Sequence, residues 1–284
     1  MKYNKFRELK VNIFDIEFEN FSIKKILNYM PAGNDVLEVL TDSDETYFVK
    51  IERSKVADFE AEYRNILALK KIGYNHIPNV VQFIDNSDLK CLVLEKISGD
   101  RLSDIISDDN KQRYMLNLGR ELSIIHSINS SEFKTAKQRV INDIPYDGLY
   151  SKFDDVAIKY VKYLKENNYE KVMDTFIHGD FHYANILWYN NAISGVLDWE
   201  YSGLGHKEQD IAWALVVRPG QQFFKSLDDI TMFLNGYKEK LDYDSSKLKW
   251  CLINAYLHFY LMNTNLEYRN LLCELMDLVM NSTF

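Results

Sequence analysis

The stretch FIHGDFHYANILWYNNAISGVLDWE, from Phe176 to Glu200, decides how the rest of the sequence is interpreted. Short apolar runs alternate in it with turn residues, which predicts short strands joined by tight loops. Asp180 follows the first run, Asn185 opens the second, and Asp198 ends the third. The pattern therefore predicts that these three side chains meet at one edge of a small sheet.

Two carboxylates and an amide at one point suit phosphoryl transfer. Magnesium prefers hard oxygen ligands and bridges nucleotide phosphates, while a carboxylate that binds no metal can accept a proton. The spacing His-x-Asp-x-x-x-x-Asn, from His178 through Asp180 to Asn185, is that of the protein-kinase catalytic loop. Asp198 follows where the metal-binding Asp of that fold would stand.

The wording of these motifs resembles one group of kinase-like enzymes. The sequence has HGD where protein kinases have HRD, and DWE where they have DFG, within HGDFHYAN and GVLDWEYSG. Both departures resemble the aminoglycoside phosphotransferase and choline kinase group of small-molecule phosphotransferases. The resemblance implies an α+β, protein-kinase-like, two-lobed fold. Its N-terminal lobe would be an antiparallel sheet with one helix, and its C-terminal lobe mostly helical.

The resemblance implies a role for each residue of the stretch. Asp180 would be the catalytic base that takes the proton of the acceptor hydroxyl. Asn185 and Asp198 would hold Mg²⁺ against the nucleotide phosphates. His182 stands where protein kinases have a lysine, so it is either a phosphate contact or a solvated loop histidine. Glu200 either faces the acceptor or ends a strand.

Two further residues are expected to support the catalytic loop. His178 is predicted to pack beneath it, and Asp210 is implied by the resemblance to receive its backbone N–H groups. His126, near the end of an amphipathic segment, is predicted to be a packed or helix-terminal histidine rather than a ligand.

Lys50 and a helix glutamate form the predicted phosphate grip. Short β-rich runs at 21–27, 36–40 and 46–51 predict strands, and 57–72 predicts an amphipathic helix. Lys50 ends the third strand, where kinases place the lysine that holds the α and β phosphates. Glu60 and Glu62 lie about 200° apart around the helix, so only one can face the strand. The resemblance selects Glu62; the alternative is that both are solvated surface charges.

Three positions are predicted to contact the nucleotide, ATP or GTP, through main-chain atoms. The turn at 30–35 contains Gly33 and is either a flap over the phosphates or an ordinary hairpin turn. After strands at 80–84 and 89–94, the carbonyl of Glu95 and the N–H of Ile97 lie at the expected hinge. The chain is accordingly expected to divide into a nucleotide-binding lobe, residues 1–99, and a catalytic and substrate-binding lobe, residues 100–284.

Most of the second lobe is predicted to be helical. Amphipathic segments predict helices at 110–128, 152–167 and 267–280. Ser226, three residues before Asp229, predicts one helix cap, and Ser245 or Ser246 a second.

Composition narrows the function further. The chain has 284 residues, 46% of them hydrophobic, and a formal net charge of −8, which argues against a nucleic-acid binder. Residues 100–284 carry 20 Lys and Arg against 26 Asp and Glu, a net charge of −6, which suits a cationic acceptor. No apolar run reaches the length of a membrane span, and the start is charged. Three widely spaced cysteines predict buried thiols in a reducing compartment, so a cytoplasmic protein is expected.

These features predict a magnesium-requiring, ATP- or GTP-dependent O-phosphotransferase acting on a small, cationic, hydroxylated molecule. An aminoglycoside is favoured as acceptor; choline, another amino alcohol or another small metabolite is the alternative. A metal-dependent phosphohydrolase could use the same three residues, but it would need neither Lys50 nor Glu62 nor a hinge. A catalytically inactive nucleotide-binding protein is the remaining alternative.

Overall fold

The computed structural model describes residues 8–31, 33–53, 58–86, 88–137 and 154–282. The chain divides into two compact units, one of Met1–Gly99 with Ser194–Glu200 and one of Asp100–Ile193 with Tyr201–Phe284. Asp198 is thus grouped with the first unit. The functional division into two lobes at residue 99 stays a prediction. The charged start of the chain, residues 1–7, lies outside the described residues.

The first unit contains a five-stranded antiparallel sheet, in the order β1-β2-β3-β5-β4. The strands are β1 Ile23–Pro31, β2 Asp35–Thr41, β3 Thr46–Ile51, β4 Val80–Asp85 and β5 Lys90–Glu95. Buried and half-buried residues alternate along β2, because successive side chains of a strand point to opposite faces. The buried residues of one cluster include Leu37, Val39, Val49, Ile51 and Val93.

The first strand differs from the prediction. β1 begins at Ile23 and extends to Pro31 instead of ending at Leu27, and Pro31 pairs with Asp35. A proline is tolerated there because β1 is an edge strand and Pro31 is the last residue of that strand. The predicted turn at 30–35 is therefore shorter than expected, and its residue 32 lies outside the described residues.

Among the described residues of this unit, the α-helix α1 covers Phe59–Lys71. Asp58 caps it by accepting a hydrogen bond from the N–H of Ala61. Its buried face includes Glu62, Ile66 and Leu69, three or four residues apart as an amphipathic helix requires. The predicted segment began at residue 57, which lies outside the described residues.

The second unit is mostly helical. The α-helices among its described residues are α2 Leu102–Ile105, α3 Lys111–His126, α4 Asp155–Glu166, α5 Lys207–Leu215, α6 Leu227–Lys238, α7 Ser245–Met262 and α8 Leu266–Asn281. α3 packs closely on α6, and glycine at positions 119 and 236 makes this possible. A Cβ atom at Gly119 or Gly236 would overlap the backbone of the facing helix. α7 packs against α4, α5 and α8. The predicted start of α4 at 152–153 lies outside the described residues.

The short strands lie in two sheets. They are β6 Asp100–Arg101, β7 Thr175–Ile177, β8 Ile186–Tyr189, β9 Ala192–Val196 and β10 Gly203–Gly205. β7 pairs with β10, whereas β8 lies between β6 and β9. The prediction that one small sheet carries Asp180, Asn185 and Asp198 is therefore wrong. The reason is that β10, a later segment, pairs with β7, and a loop and a 3₁₀ turn separate β7 from β8.

One of the two predicted serine caps is present. Ser226 accepts the N–H of Asp229 at 3.3 Å and caps α6, which confirms that prediction. The prediction of Ser245 or Ser246 as the cap of α7 is wrong. Asp244 is the cap, because its carboxylate accepts the N–H groups of both Ser246 and Lys247, at 2.9 and 3.1 Å. Among the described residues, no helix has the length and apolar character needed to span a membrane.

Candidate active site

Lys50 lies on β3 in a buried position between two carboxylates. Its Nζ is 2.6 Å from Oε2 of Glu62 on α1 and 2.8 Å from Oδ1 of Asp198. Lys50 is 7% exposed and Glu62 is fully buried, whereas Glu60 is exposed. The ammonium therefore pairs with Glu62 and not with Glu60. Its predicted role in holding phosphate stays a proposal.

The charges of this cluster keep Lys50 protonated. Burial alone would lower the pKa of Lys50, but the nearby carboxylates of Asp198, Glu62 and Glu200 raise it above its usual range. Burial raises the pKa of Glu62, and the ammonium of Lys50 opposes that shift. The cluster therefore presents a fixed positive charge surrounded by an excess of carboxylates.

Asp198 follows β9 in a strained conformation. Its φ of 69° lies in the left-handed region, which residues other than glycine seldom adopt. The turn around it is held by Trp199, whose indole Nε1–H donates to the carbonyl of Val196 at 2.9 Å and whose backbone N–H donates to Oε1 of Glu62 at 3.4 Å. Strain of this kind clusters at functional sites.

Glu200 adds a third carboxylate beside Asp198. Oxygen atoms of Glu62, Asp198 and Glu200 all lie within 4.8 Å of one another, close enough to share a metal ion. The side chain of Asn34 donates to Oε2 of Glu200 at 3.5 Å. Two alternatives for Glu200 followed from the sequence, which were that it faces the acceptor or that it ends a strand. The structure places it with the carboxylates that can bind a metal.

The predicted main-chain contacts lie in the first unit. A Cβ atom at Gly33 would meet nothing within 4 Å, so packing does not require a glycine there. Glu95 ends β5, and its N–H donates to the carbonyl of Asn79 at 3.0 Å. The side chain of Ile97 packs on Gly195, where a Cβ atom would be only 2.8 Å from it. The roles of Gly33, Glu95 and Ile97 in nucleotide binding stay predictions.

The loop after β7 is held through its backbone. Asp210 on α5 accepts the N–H of His178 at 2.9 Å and that of Gly179 at 3.0 Å. Nδ1 of His178, which is fully buried, accepts the N–H of Asp180 at 3.1 Å. Gly179 has a φ of 77°, and a side chain there would collide with the backbone of Tyr201. His178 and Asp210 therefore lie as the sequence predicts.

Asp210 is itself buried in a hydrogen-bonded network. His126 Nε2 lies 3.1 Å from Oδ2 of Asp210, and His126 Nδ1 lies 2.8 Å from the hydroxyl of Tyr237 on α6. Burial would raise the pKa of Asp210, but the hydrogen bonds and charges around it, His126 first, hold it below its usual range. His126 is packed, as predicted, and it helps to keep Asp210 ionised beneath the loop.

Asn185 and His182 adjoin Asp180 in the second unit. The amide Nδ2 of Asn185 donates to the backbone carbonyl of Asp180 at 3.0 Å and lies 3.4 Å from its Oδ2. Nδ1 of His182 accepts the N–H of Ala184 at 3.3 Å, and its Nε2 is 3.8 Å from Oδ1 of Asp180. The amide nitrogen of Asn185 thus braces the loop, and its amide oxygen is the atom that a cation would use.

Trp213 is a neighbour of Asp180 that the sequence did not reveal as functional. Its indole Nε1–H donates to Oδ1 of Asp180 at 2.7 Å. The available signal was its position three residues after Asp210 on α5, which places both side chains on one helix face.

Comparison with known proteins assigns a family to this arrangement. The model of the "Phosphotransferase enzyme family" matches residues 31–233, which is more than half of the chain. The chain belongs to the phosphotransferase enzyme family. A probable aminoglycoside 3'-phosphotransferase of Lactococcus lactis subsp. lactis (strain IL1403) is 24% identical over 263 residues, 86% of this chain and 97% of that protein. The prediction of a small-molecule kinase is therefore confirmed.

Solved structures of similar phosphotransferases confirm the predicted α+β, protein-kinase-like fold. An aminoglycoside 3'-phosphotransferase of type VIII has a TM-score of 0.63 at 15% identity, over 84% of this chain and 94% of that chain. Amicoumacin kinase hAmiN, in complex with AMP-PNP, Ca²⁺ and Ami, has a TM-score of 0.63 at 15% identity, over 94% and 90%. A thermostable mutant of APH(4)-Ia, in a ternary complex with ADP and hygromycin B, has a TM-score of 0.66 at 13% identity, over 92% and 96%.

Proposed function

We propose that this phosphotransferase transfers the γ-phosphate of ATP or GTP to a hydroxyl of a small cationic acceptor, with an aminoglycoside favoured. The observation that carries the proposal is the buried ammonium of Lys50 between Glu62 and Asp198. A strand lysine oriented by a helix glutamate is the kinase arrangement for holding the α and β phosphates. A phosphohydrolase has no need of this pair. Gly33, Glu95 and Ile97 would complete the nucleotide contacts through their backbones.

The metal is proposed to be Mg²⁺, held by Asn185 and Asp198. Carboxylate and amide oxygens are ligands that this ion accepts, and Glu200 supplies a further carboxylate near Asp198. Three carboxylates around one ammonium leave an excess of negative charge, which a divalent cation offsets. When bound, the ion would neutralise charge on the transferring phosphate.

Asp180 is proposed to be the base of the reaction. Its carboxylate takes the proton of the acceptor hydroxyl as that oxygen forms its bond to the γ-phosphorus. The bond between the phosphorus and the β–γ bridging oxygen breaks, and the nucleoside diphosphate leaves. The backbone contacts from Asp210 and Asn185 hold the loop in place for this step.

The acceptor class is inferred from charge. Residues 100–284 carry a net charge of −6, which favours a polycationic aminoglycoside or an amino alcohol over an anion. The relative from Lactococcus lactis is named as a probable aminoglycoside 3'-phosphotransferase, which supports the same class. A panel of aminoglycosides, choline, amino alcohols and anionic metabolites, assayed for nucleotide-dependent phosphorylation, tests this choice.

A magnesium nucleotide should raise the melting temperature by several degrees. A ligand that binds only the folded state stabilises it by about 2.7 kcal/mol at a hundred times its Kd. Glu62→Gln should lose most of the shift, because Lys50 loses its orienting partner. Glu60→Gln, the same change at an exposed position of α1, is the matched control and should keep it. Thermal-shift curves without a response to either nucleotide at millimolar concentration would contradict the proposal.

The affinity for the acceptor should fall as salt is added. Attraction between partly exposed charges is screened over about 8 to 10 Å at ordinary ionic strength. Calorimetric titration of the best acceptor at low and high sodium chloride measures the effect, with a nucleotide analogue that cannot transfer its γ-phosphate present throughout. Efficient turnover of a neutral or anionic acceptor, with no cation turned over, would contradict the proposed class.

We also propose that the enzyme works in the cytoplasm. Cys91, Cys251 and Cys273 are unpaired, as expected of a reducing compartment. Burial raises the pKa of Cys91 and that of Cys251 to about 12, so these thiols resist oxidation. Cys273 is half-buried, which differs from the predicted full burial.

A further inference from the structure

Helix α5 contacts both the backbone of the catalytic loop and one of its side chains. Asp210 holds the N–H groups of His178 and Gly179, and Trp213, one helical turn later, holds the side chain of Asp180. The distance of 2.7 Å from the indole nitrogen to Oδ1 is that of a hydrogen bond strengthened by a charged acceptor. One helix face thus fixes both the backbone of the loop and its carboxylate.

The orientation of the Asp180 carboxylate needs such a contact. The terminal torsion of an aspartate is broad, so backbone and rotamer preferences alone leave the plane of the carboxylate undefined. Asn185 Nδ2 lies 3.4 Å from Oδ2 and His182 Nε2 lies 3.8 Å from Oδ1. Of these three neighbours, the indole of Trp213 is the closest, and its N–H is always a donor.

The indole is held in turn by Arg218 and Phe259. The guanidinium carbon of Arg218 lies 4.6 Å from the centre of the Trp213 ring and 5.1 Å from that of Phe259 on α7. Arg218 Nη2 donates to the carbonyl of Trp213 at 3.0 Å, and Nη1 donates to that of Val216. The two aromatic rings lie 5.8 Å apart. A cation over an indole face is attracted to the ring and restrains it.

We infer that Trp213 is a positioning residue for phosphoryl transfer, whose indole N–H sets the plane of the Asp180 carboxylate for the acceptor hydroxyl. Arg218 acts one step further back, by holding the indole. This inference rests on the proposed role of Asp180 as the base. A tryptophan that only filled space would need its ring and not its N–H, so deleting the N–H separates the two roles.

Two replacements delete the N–H and keep an aromatic ring. Trp213→Phe retains a ring for Arg218 and Phe259, and benzothienylalanine at position 213 retains the bicyclic shape with sulfur in place of N–H. The single-turnover rate of transfer should fall about ten- to a hundredfold in both, the range for losing a hydrogen bond to a charged group. The Kd for the magnesium nucleotide and the KM for the acceptor should change by less than about threefold.

Trp250→Phe is the matched control. The indole of Trp250 on α7 is buried and donates to the carbonyl of Leu164 at 2.9 Å, in the same structural unit. The substitution also removes an indole hydrogen bond, here to a backbone carbonyl, and should lower the melting temperature without changing the transfer rate. A rate loss shared by Trp250→Phe and Trp213→Phe would reduce the effect to general destabilisation and overturn the inference.

The contact itself is measured by NMR, independently of activity. In a ¹H–¹⁵N spectrum, the indole resonance of Trp213 should move when Asp180→Asn is introduced, and that of Trp250 should not. An unmoved Trp213 resonance, or normal transfer by both N–H-deleted variants of an active enzyme, overturns the inference and leaves the proposed function standing. A wild-type enzyme that transfers phosphate to no acceptor overturns the proposed function, and the inference with it.

Discussion

Asp180→Asn is expected to lower the single-turnover rate of phosphoryl transfer by on the order of a hundredfold or more, the range for losing a positioned general base. An amide oxygen can still accept the indole N–H of Trp213, and the backbone carbonyl can still accept from Asn185. The loop should therefore keep its shape. Calorimetry should show a nucleotide Kd close to that of the wild type, because Lys50 and Asp198 are unchanged.

Asp174→Asn is the control for this prediction. Asp174 is an exposed carboxylate directly before β7, and it should be replaceable with no loss of transfer rate. Near-normal phosphorylation by Asp180→Asn would refute its role as base and leave Asn185 and Asp198 as a metal site whose base lies elsewhere.

Asp198→Ala is expected to impair both nucleotide binding and transfer. The substitution removes a proposed metal ligand, and metal stabilisation of the transition state is worth several kcal/mol, which corresponds to a rate loss on the order of a thousandfold. Most of the magnesium-dependent rise in melting temperature should disappear as well. Titrating magnesium at fixed nucleotide concentration, with calorimetry and single-turnover rates side by side, separates the two effects.

Backbone strain at Asp198 calls for its own controls. Its φ of 69° suits alanine poorly, so Asp198→Ala changes both the charge and the backbone preference. Asp198→Asn tolerates the left-handed region and removes only the charge. Asp44→Ala makes the same change at an exposed residue with a φ of 62°, away from the cluster, and should leave magnesium binding intact. Because an amide oxygen can still bind the ion, Asp198→Asn should weaken magnesium dependence less than Asp198→Ala does. Unchanged magnesium dependence in both variants would contradict the metal assignment.

Local sequence patterns predicted the parts of the site that depend on one element. Strand β3 has the predicted bounds, because its residues form a short β-rich run that follows a cluster of turn residues. The angular separation of Glu60 and Glu62 was enough to show that only one can meet Lys50. The spacing of the loop motif likewise predicted that Asn185 lies beside Asp180, because both residues belong to one short segment.

Contacts made by distant segments were beyond the sequence. The strand that pairs with β7 is β10, and the two are separated by the whole hairpin of β8 and β9, so no local signal indicates it. In the sequence, Trp213 fits equally well as a core residue of an apolar helix. Its role as a donor follows only from its contact with Asp180, which lies 33 residues earlier in the chain. Glu200 was undecided for the same reason, since its neighbours Glu62 and Asn34 come from other segments.

Competition between local acceptors explains the mistaken cap of α7. Ser245 and Ser246 fit the preference for serine at a helix start, but Asp244 stands one position earlier and offers a charged acceptor. The carboxylate of Asp244 accepts two backbone N–H groups of the first turn. Ser245 is already the first residue of the helix, so it does not occupy the capping position. Residue type at a single position does not reveal this competition.

The fate of the γ-phosphate tests the central claim most directly. γ-Labelled ATP or GTP is mixed in single turnover with the enzyme, magnesium and each acceptor of the panel, and the products are separated and identified by mass. We expect the label in a phosphate ester of an acceptor hydroxyl, made by the wild type and nearly absent with Asp180→Asn. Label released only as inorganic phosphate, at a rate independent of every acceptor, would contradict it.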